Sequence, residues 1–174
     1  MHALDTAELF FDELRVPVQN LLGREGEGFE CLMQQLPWER LLAAVYCIAA
    51  AESALAMTIN YAHARKLFDR KLLAFQNTRF VLAELKTEVQ IGRTFVDHCI
   101  QLSLQQKLDA ATASMAKYWA SNLQFKVMDK CVQLHGGYGY MLEYPIARAW
   151  GDSGVFRLAG GCNEIMMELI SRTL

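Results

Sequence analysis

Glu39 is a carboxylate whose position in the sequence is compatible with a base that acts on a carbon acid. It lies within one helical turn of Pro37 and just before an apolar run over residues 41–51. A carboxylate in apolar surroundings loses hydration, which raises its pKa and makes it a stronger base. Glu39 and Arg40 also fit a local ion pair at the entry of a helix, and the pattern alone favours this second interpretation.

Two glycine pairs mark places where bare backbone is available to a ligand. Gly136 and Gly137 follow a long helical pattern and open an aromatic–glycine turn that ends at Tyr140, whereas Gly160 and Gly161 precede a last apolar helix. The terminal carbonyls of one helix and the free N–H groups of the next would then face a bound molecule. On its own the first pair is a helix stop, because it lacks the G-x-G-x-x-G spacing of dinucleotide-binding motifs.

Single residues near these glycines also have plain structural interpretations. Arg65 is a cation at a helix end, where it stabilises the helix dipole. His135 caps or packs against its helix, while Asn163 and Glu164 either cap the last helix or close over a ligand. The pattern leaves these alternatives open.

Helix-forming residues and periodic apolar spacing predict an all-α bundle that positions these groups. The predicted helices cover 29–65, 75–106, 110–134, 144–156 and 163–172. Pro37 is expected to kink the first helix, and Asp109 to cap the third. Residues 9–16 have a strand-like composition, but a lone strand is unstable in water, so it needs a partner from elsewhere.

The composition limits the class of protein. The 174 residues fit one domain, and a hydrophobic content of 53% allows a large core and further burial in an oligomer. A net charge of -2 gives no electrostatic reason to expect nucleic acid or an anionic membrane, and the run over 41–51 is too short to cross a bilayer. The 5 cysteines show no CxxC spacing and fall mostly in apolar helical patterns, which indicates a reduced intracellular compartment; residues 1–5 show no signal-peptide pattern.

The chain resembles the C-terminal third of acyl-CoA dehydrogenases over essentially its whole length. The family-like segments are Leu9–Pro17, Arg65–Phe68 with Phe75–Gln76, and Gln133–Tyr140 with Glu143–Pro145. Three segments resemble the long-chain members in particular: Leu36–Leu41, Ala116–Ser121 and Asn163–Ile170. Three positions depart from the family pattern: Asp69 replaces a glycine, Cys162 replaces a threonine, and Gly151–Gly154 lacks two arginines.

The resemblance implies an activity, namely FAD-dependent α,β-dehydrogenation of acyl-CoA thioesters in fatty acid β-oxidation. The loop at Gly160–Cys162 carries no carboxylate, whereas the long-chain pattern supplies the catalytic base from the first bundle helix, at Glu39. In the family this base takes the α-proton while the β-hydrogen passes as hydride to flavin N5. Arg40 is then expected to order the base or to lie beside the coenzyme A tail, and the Gly160 N–H to hold the thioester oxygen.

The resemblance also implies FAD and partners. Arg65 is expected to contact the FAD pyrophosphate of a neighbouring subunit. The full set of expected FAD contacts is Arg65, Phe68, Gln76, Gln133, Leu134, Gly136, Gly137, Cys162 and Glu164. An electron-transfer flavoprotein is the expected electron acceptor, a dimer of dimers the expected assembly, and the bacterial cytoplasm or mitochondrial matrix the expected compartment.

The expected domain organisation follows from the same resemblance. Residues 1–25 form the tail of the middle β-domain with a linker, and residues 26–174 form an antiparallel four-helix bundle domain with a residual N-terminal strand segment. The segment alone is expected to be inactive and to bind flavin weakly or not at all, because the other domains of the family carry much of the acyl and isoalloxazine pocket.

Two alternative functions differ in class. One is a non-catalytic helical oligomerisation scaffold, in which the three departures mark a decayed flavin site. The other, a ferritin-like metal bundle, is disfavoured because none of His63, His98 and His135 has a Glu three residues before it.

Overall fold

Helices dominate the chain. The computed structural model describes residues 7–174. The expectation that residues 1–5 are not a signal peptide therefore lies outside the described residues. The helices are α1 (Gly28–Ala64), α2 (Gln76–Leu104), α3 (Ala110–His135), α4 (Pro145–Ser153) and α5 (Asn163–Ser171). Short 3-10 turns cover Val18–Asn20, Leu72–Ala74, Gly136–Tyr140 and Gly154–Arg157. The strands β1 (Lys66–Leu67) and β2 (Arg70–Lys71) pair antiparallel.

The helices pack around α3, which contacts α1, α2, α4 and α5. The apolar stripe of α2 faces this core, as its spacing predicts. Its buried residues include Leu82, Leu85, Val89, Gly92, Val96 and Cys99. Ala116, Ala120, Leu123, Val127 and Cys131 of α3 are buried against it. The predicted all-α bundle is therefore confirmed.

The ends of the helices differ from prediction by a few residues. The largest change is in α4, which ends at Ser153 and continues as a 3-10 turn over Gly154–Arg157. Gly151 and Gly154 explain the early end, because glycine weakens a helix. Asp109 caps α3 as predicted, accepting a 2.9 Å hydrogen bond from the backbone N–H of Thr112. Helix α1 is continuous through Pro37, and the kink expected there stays a prediction.

The strand predicted at residues 9–16 does not form. These residues are irregular and exposed, and the paired strands of the described part of the chain are β1 and β2. The physical reason is that residues 7–174 supply no partner strand, and unpaired extended backbone is not stable by itself. Phe10 and Phe11 are 81% and 73% exposed, so this segment carries apolar surface that the chain does not cover.

Helix α1 is long and apolar enough to cross a membrane by length and composition. A core helix has the same properties. Here Leu41, Ala44, Ile48 and Ala51 are buried in the bundle. In the described structure α1 thus serves as a core helix.

Candidate active site

An open cleft of about 460 Å³ lies between α1 and the loop before α5. Glu39 lines one wall and Gly160 the other, so the predicted base and the predicted backbone donor share one cleft. The remaining lining residues are Leu42, Ala43, Tyr46, Phe156 and Ala159. These neighbours are apolar apart from the Tyr46 hydroxyl, so a thioester in this cleft would meet one carboxylate among apolar side chains.

Aromatic stacking joins the two walls of the cleft. The rings of Tyr46 and Phe156 stack with centroids 4.5 Å apart and an interplanar angle of 27°. Glu39 itself is exposed in this chain. Its carboxylate is therefore accessible to a substrate, while the desolvation expected of a base requires further covering groups.

The backbone of the second wall adopts a conformation that only glycine tolerates easily. Gly160 and Gly161 have φ values of 68° and 93°, in the left-handed region. A Cβ on Gly160 would meet nothing within 4 Å, whereas one on Gly161 would lie 2.9 Å from the methyl carbon of Met166. Gly160 thus presents bare backbone to open space, and Gly161 allows close packing behind it.

Arg40 does not line the cleft. It is 6% exposed and donates a 3.4 Å hydrogen bond to the Ser114 hydroxyl of α3, while its Nε has no partner in the described residues. Burial lowers the pKa of Arg40. Successive helical residues point about 100° apart. The side chain that was expected to order the base or to lie beside the coenzyme A tail therefore packs between helices.

A second groove, of about 610 Å³, lies where α1 ends and α3 runs into its glycine turn. It collects five of the nine predicted FAD contacts: Arg65, Gln133, Leu134, Gly136 and Gly137. The other lining residues are Tyr61, Leu67, Leu72, Asn77, Thr78, His135, Tyr138 and Met141.

The chemistry of this groove suits a dinucleotide. A Cβ on Gly136 or Gly137 would meet nothing within 4 Å, so both peptide units are open to a ligand. The guanidinium of Arg65, 5.3 Å from the Tyr138 ring centroid, supplies a cation for phosphate. The described residues thus offer a cation, a side-chain amide at Gln133 and bare backbone on one surface.

His135 is part of the frame of this groove. It is buried, its Nδ1 lies 2.8 Å from the Cys131 carbonyl oxygen, and its ring stacks on Tyr61 at 4.2 Å. The Tyr61 hydroxyl donates to the His135 carbonyl at 3.2 Å. These contacts give His135 a packing role.

Phe68 and Gln76 are exposed and lie outside the lining of the groove. Phe68 and Asp69 form the turn between β1 and β2, with φ values of 49° and 59°. A two-residue hairpin turn of this kind needs positive φ at both central positions, and aspartate tolerates it better than most residues. Asp69 therefore occupies a turn position where glycine is easily accommodated.

Cys162 and Glu164 stand at the start of α5, away from the Arg65 groove. Next to them, Asn163 bonds to Ser121 of α3, about 18 Å along the helix from Gln133 at 1.5 Å per residue. The predicted FAD contacts therefore fall into two clusters within one chain. Glu164 lines a small cleft with Gly154, Arg157, Leu158 and Asn163.

Sequence reasoning missed Lys117, which is wholly buried in α3. Its Nζ donates to the Gly161 carbonyl at 2.6 Å and to the Asn163 side-chain oxygen at 2.9 Å. A signal was present: Ser114, Lys117, Ser121 and Gln124 recur at steps of three and four, so they form a polar stripe on a helix that has an apolar stripe beside it. All four are buried.

No group of three or more His, Cys, Asp or Glu residues that could hold a metal ion occurs among residues 7–174.

The bundle, the carboxylate cleft and the glycine-lined groove together define an all-α helical domain with two candidate ligand sites. Residues 26–174 match the family model described as acyl-CoA dehydrogenase, C-terminal domain, and the chain belongs to this family.

The resemblance to long-chain members is also confirmed. The whole chain is 53% identical to the mitochondrial long-chain specific acyl-CoA dehydrogenase of Rattus norvegicus and covers 40% of that protein. An acyl-CoA dehydrogenase structure from Geobacillus kaustophilus superposes with a TM-score of 0.91 at 43% identity, covering 94% of this chain and 43% of that one. A chain in the structure of the electron transferring flavoprotein of Acidaminococcus fermentans superposes with a TM-score of 0.90 at 35% identity, with the same coverage. The chain thus spans less than half the length of these relatives.

Proposed function

We propose that this chain is the C-terminal domain of an FAD-dependent acyl-CoA dehydrogenase that acts in fatty acid β-oxidation. The observation that supports the proposal best is that Glu39 and Gly160 line one cleft. Removal of a proton next to a thioester carbonyl requires a base and a hydrogen-bond donor to the carbonyl oxygen. The carboxylate of Glu39 and the backbone N–H of Gly160, on opposite walls, can supply these two groups. Residues 26–174 are the bundle domain in this proposal, and residues 1–25 are the tail of the preceding β-domain with its linker.

Glu39 takes the α-proton of the bound acyl thioester. Negative charge then develops on the thioester oxygen, and the N–H of Gly160 donates a hydrogen bond to it. FAD, when bound, supplies the acceptor for the β-hydrogen and its electron pair, so that the product is a trans-2-enoyl-CoA. Leu42 and Tyr46 lie beside Glu39 but are about half exposed, so the exclusion of water that would strengthen both interactions requires further covering groups.

The groove at Arg65 is the proposed site for the adenosine and pyrophosphate part of FAD. The Arg65 guanidinium pairs with phosphate, while Gln133 and the backbone at Gly136 and Gly137 donate or accept hydrogen bonds along the dinucleotide. Phe68 and Gln76 extend this contact towards the adenosine. Cys162 and Glu164, at the start of α5, are proposed to contact a second FAD at that end of the bundle, in agreement with the proposal that FAD is shared between neighbouring subunits.

The substrate class and partners follow from the similarities. A long-chain acyl-CoA is proposed because of the 53% identity to a long-chain specific enzyme. An electron-transfer flavoprotein is the proposed electron acceptor, and a dimer of dimers is the proposed assembly. The exposed apolar residues Phe10, Phe11 and Phe29 support burial against other domains or copies. The compartment is the bacterial cytoplasm or the mitochondrial matrix.

A flavin titration of the full-length protein tests this function. Wild type, Glu39→Gln and Glu30→Gln are titrated anaerobically with a long-chain acyl-CoA while flavin absorbance is followed. Glu30 is a matched control, because it is an exposed carboxylate of α1 that lines none of the clefts described above. Bleaching is expected in wild type and Glu30→Gln but not in Glu39→Gln.

Other outcomes of the flavin titration would contradict particular parts of the proposal. Bleaching in all three proteins would retain the dehydrogenase and remove Glu39 as the base. Bound flavin that never bleaches would contradict the substrate class. A full-length protein without flavin would support the alternative, a non-catalytic oligomerisation scaffold. The 174-residue segment alone is proposed to be inactive and to bind flavin weakly, which purification without a yellow chromophore would support.

A further inference from the structure

Lys117 is a cation that the bundle buries completely. It is 0% exposed on α3, and burial lowers its pKa. Its Nζ contacts three oxygens: the Gly161 carbonyl at 2.6 Å, the Asn163 side-chain oxygen at 2.9 Å and the Arg157 carbonyl at 3.5 Å. All three are acceptors, so the geometry fits an ammonium group that uses each of its N–H bonds.

Lys117 lacks the partner that a buried cation ordinarily has. Buried charges are usually matched by an opposite charge, because desolvation is costly. Among residues 7–174 no carboxylate forms an ion pair with Lys117, and the groups that favour its charged form are the thiols of Cys47 and Cys162 and then, at longer range, Glu164. The neighbouring cation Arg40 adds repulsion. A methionine would fill the space without a buried charge, but it would leave the Gly161 carbonyl and the Asn163 side-chain oxygen without this donor, so the ammonium group adds a hold on these two acceptors.

The three oxygens belong to one segment, residues 157–163, which leads from Phe156 to α5. The middle of this segment is exposed, since Leu158 is 69% exposed and Gly160 and Gly161 carry no side chain, whereas Arg157 at its start lies 5.3 Å from the Phe125 ring centroid. Asn163 is buried, and its amide donates to Ser121 at 3.1 Å and to Asn122 at 3.2 Å. The segment is therefore tied to α3 from inside, with Lys117 at the centre.

The outer side of the same segment carries Gly160, which faces Glu39 across the cleft. A hydrogen bond from Lys117 to the Gly161 carbonyl fixes the peptide unit directly after Gly161. We propose that Lys117 is a positioning residue, which clamps the segment over residues 157–163 so that the Gly160 N–H stays aligned with the thioester oxygen opposite Glu39. This inference rests on the proposed function.

The test compares Lys117→Met with wild type and with Lys126→Met in the full-length protein. Lys126 is a control on the same helix, because it is partly exposed and pairs with Glu84 and Glu88 instead of the segment. Lys117→Met is expected to lower kcat by about tenfold to hundredfold with little change in KM, since alignment matters most where charge develops. Lys117→Gln, which keeps two N–H donors, is expected to recover part of that loss.

Hydrogen exchange provides a readout independent of turnover. In Lys117→Met the peptide covering residues 157–166 is expected to exchange at least about tenfold faster, since it loses the bonds to Nζ. Lys126→Met is expected to match wild type in both measurements. Wild-type kcat and exchange in Lys117→Met would overturn the role of Lys117, as would a kcat loss without faster exchange.

A second variant decides the case if Lys117→Met does not fold. Asn163→Ala removes one of the three acceptors and leaves the lysine in place. It is expected to lower kcat by at least about threefold and to speed exchange in the same peptide, and no change would overturn the inference. A wild-type protein that fails to turn over acyl-CoA contradicts the proposed function and this inference together, whereas an active wild type with an unaffected Lys117→Met contradicts the inference alone.

Discussion

The guanidinium carbon of Arg65 lies 5.3 Å from the centroid of the Tyr138 ring, which joins the end of α1 to the turn after α3. Tyr138 in turn stacks on Tyr144 at 5.0 Å. The Arg65 side chain, which is expected to contact the FAD pyrophosphate, is thus held by an aromatic pair. Binding of FAD therefore removes less side-chain conformational entropy than it would from a free arginine.

The first prediction concerns this contact. Tyr138→Leu in the full-length protein is expected to weaken FAD binding about two- to fivefold, which corresponds to the 0.5–1 kcal/mol of an exposed cation–π contact. Tyr140→Leu is the control, because Tyr140 is 81% exposed in the same turn. Isothermal titration of the apoprotein with FAD measures the difference. Equal affinities in both variants would contradict a positioning role for Tyr138.

Cysteine reactivity is the second prediction. Burial raises the pKa of Cys47 to about 12, and burial also raises the pKa values of Cys99 and Cys131. Only the thiolate reacts, so these three thiols are expected to resist a disulfide reagent at pH 8 until the chain unfolds. Cys31 is exposed and is expected to react fast.

Kinetics of thiol titration with and without guanidinium check this expectation. Cys31→Ser should remove the reaction of Cys31 and leave that of the half-buried Cys162, whereas Cys47→Ser should leave both intact. A native chain in which Cys47 reacts as fast as Cys31 would be incompatible with the packing of α1.

Three helices, α1, α2 and α3, approach each other closely at Gly92. A Cβ there would lie 2.7 Å from Ile48 Cδ1 and 3.0 Å from Leu123 Cδ2. Gly92→Val is therefore expected to lower the free energy of unfolding by about 1–3 kcal/mol through overpacking. Gly151→Val, in α4 with nothing within 4 Å of its Cβ, is the matched control and is expected to be near neutral. Thermal and urea unfolding measure the free energy of unfolding of both variants. An equal loss in Gly92→Val and Gly151→Val would contradict overpacking at Gly92.

The fourth prediction concerns the cap of α3. The pKa of Asp109 is lowered, mainly because the Thr112 backbone N–H and hydroxyl donate to the carboxylate. A carboxyl whose folded pKa lies below its unfolded pKa stabilises the fold above the unfolded value, about 3.9, and loses this contribution as pH falls through the folded pKa. Asp109→Ala is expected to cost about 1 kcal/mol near neutral pH.

Asp109→Asn separates capping from titration, because asparagine caps a helix without titrating. It is expected to unfold near the wild-type midpoint at pH 7 and to lose less stability than wild type between pH 5 and 2. Urea unfolding across this range measures the slope. Parallel pH profiles for the two proteins would remove Asp109 as a source of acid sensitivity.

Local patterns in the sequence determined the helices and the face that each one buries. The α2 seam at Leu82, Leu85 and Val89 and the cap at Asp109 were predictable, because periodicity and capping depend on residues a few positions apart. The family was also recognisable from the sequence, since its motifs are contiguous. Within the described part of the chain, the strand at residues 9–16 failed to form, because a strand depends on a partner that local sequence does not contain.

Only the tertiary structure decided which distant residues meet. It placed Glu39 opposite Gly160, turned Arg40 into the space between helices, and separated Phe68 from the Arg65 groove. It also buried Lys117 against residues 157–163. The polar stripe of α3 indicates that Lys117 is buried, but it does not indicate which residues Lys117 contacts. The reason is physical: a helical pattern specifies which face is buried, whereas the partner of that face depends on how the helices pack and where their connections return.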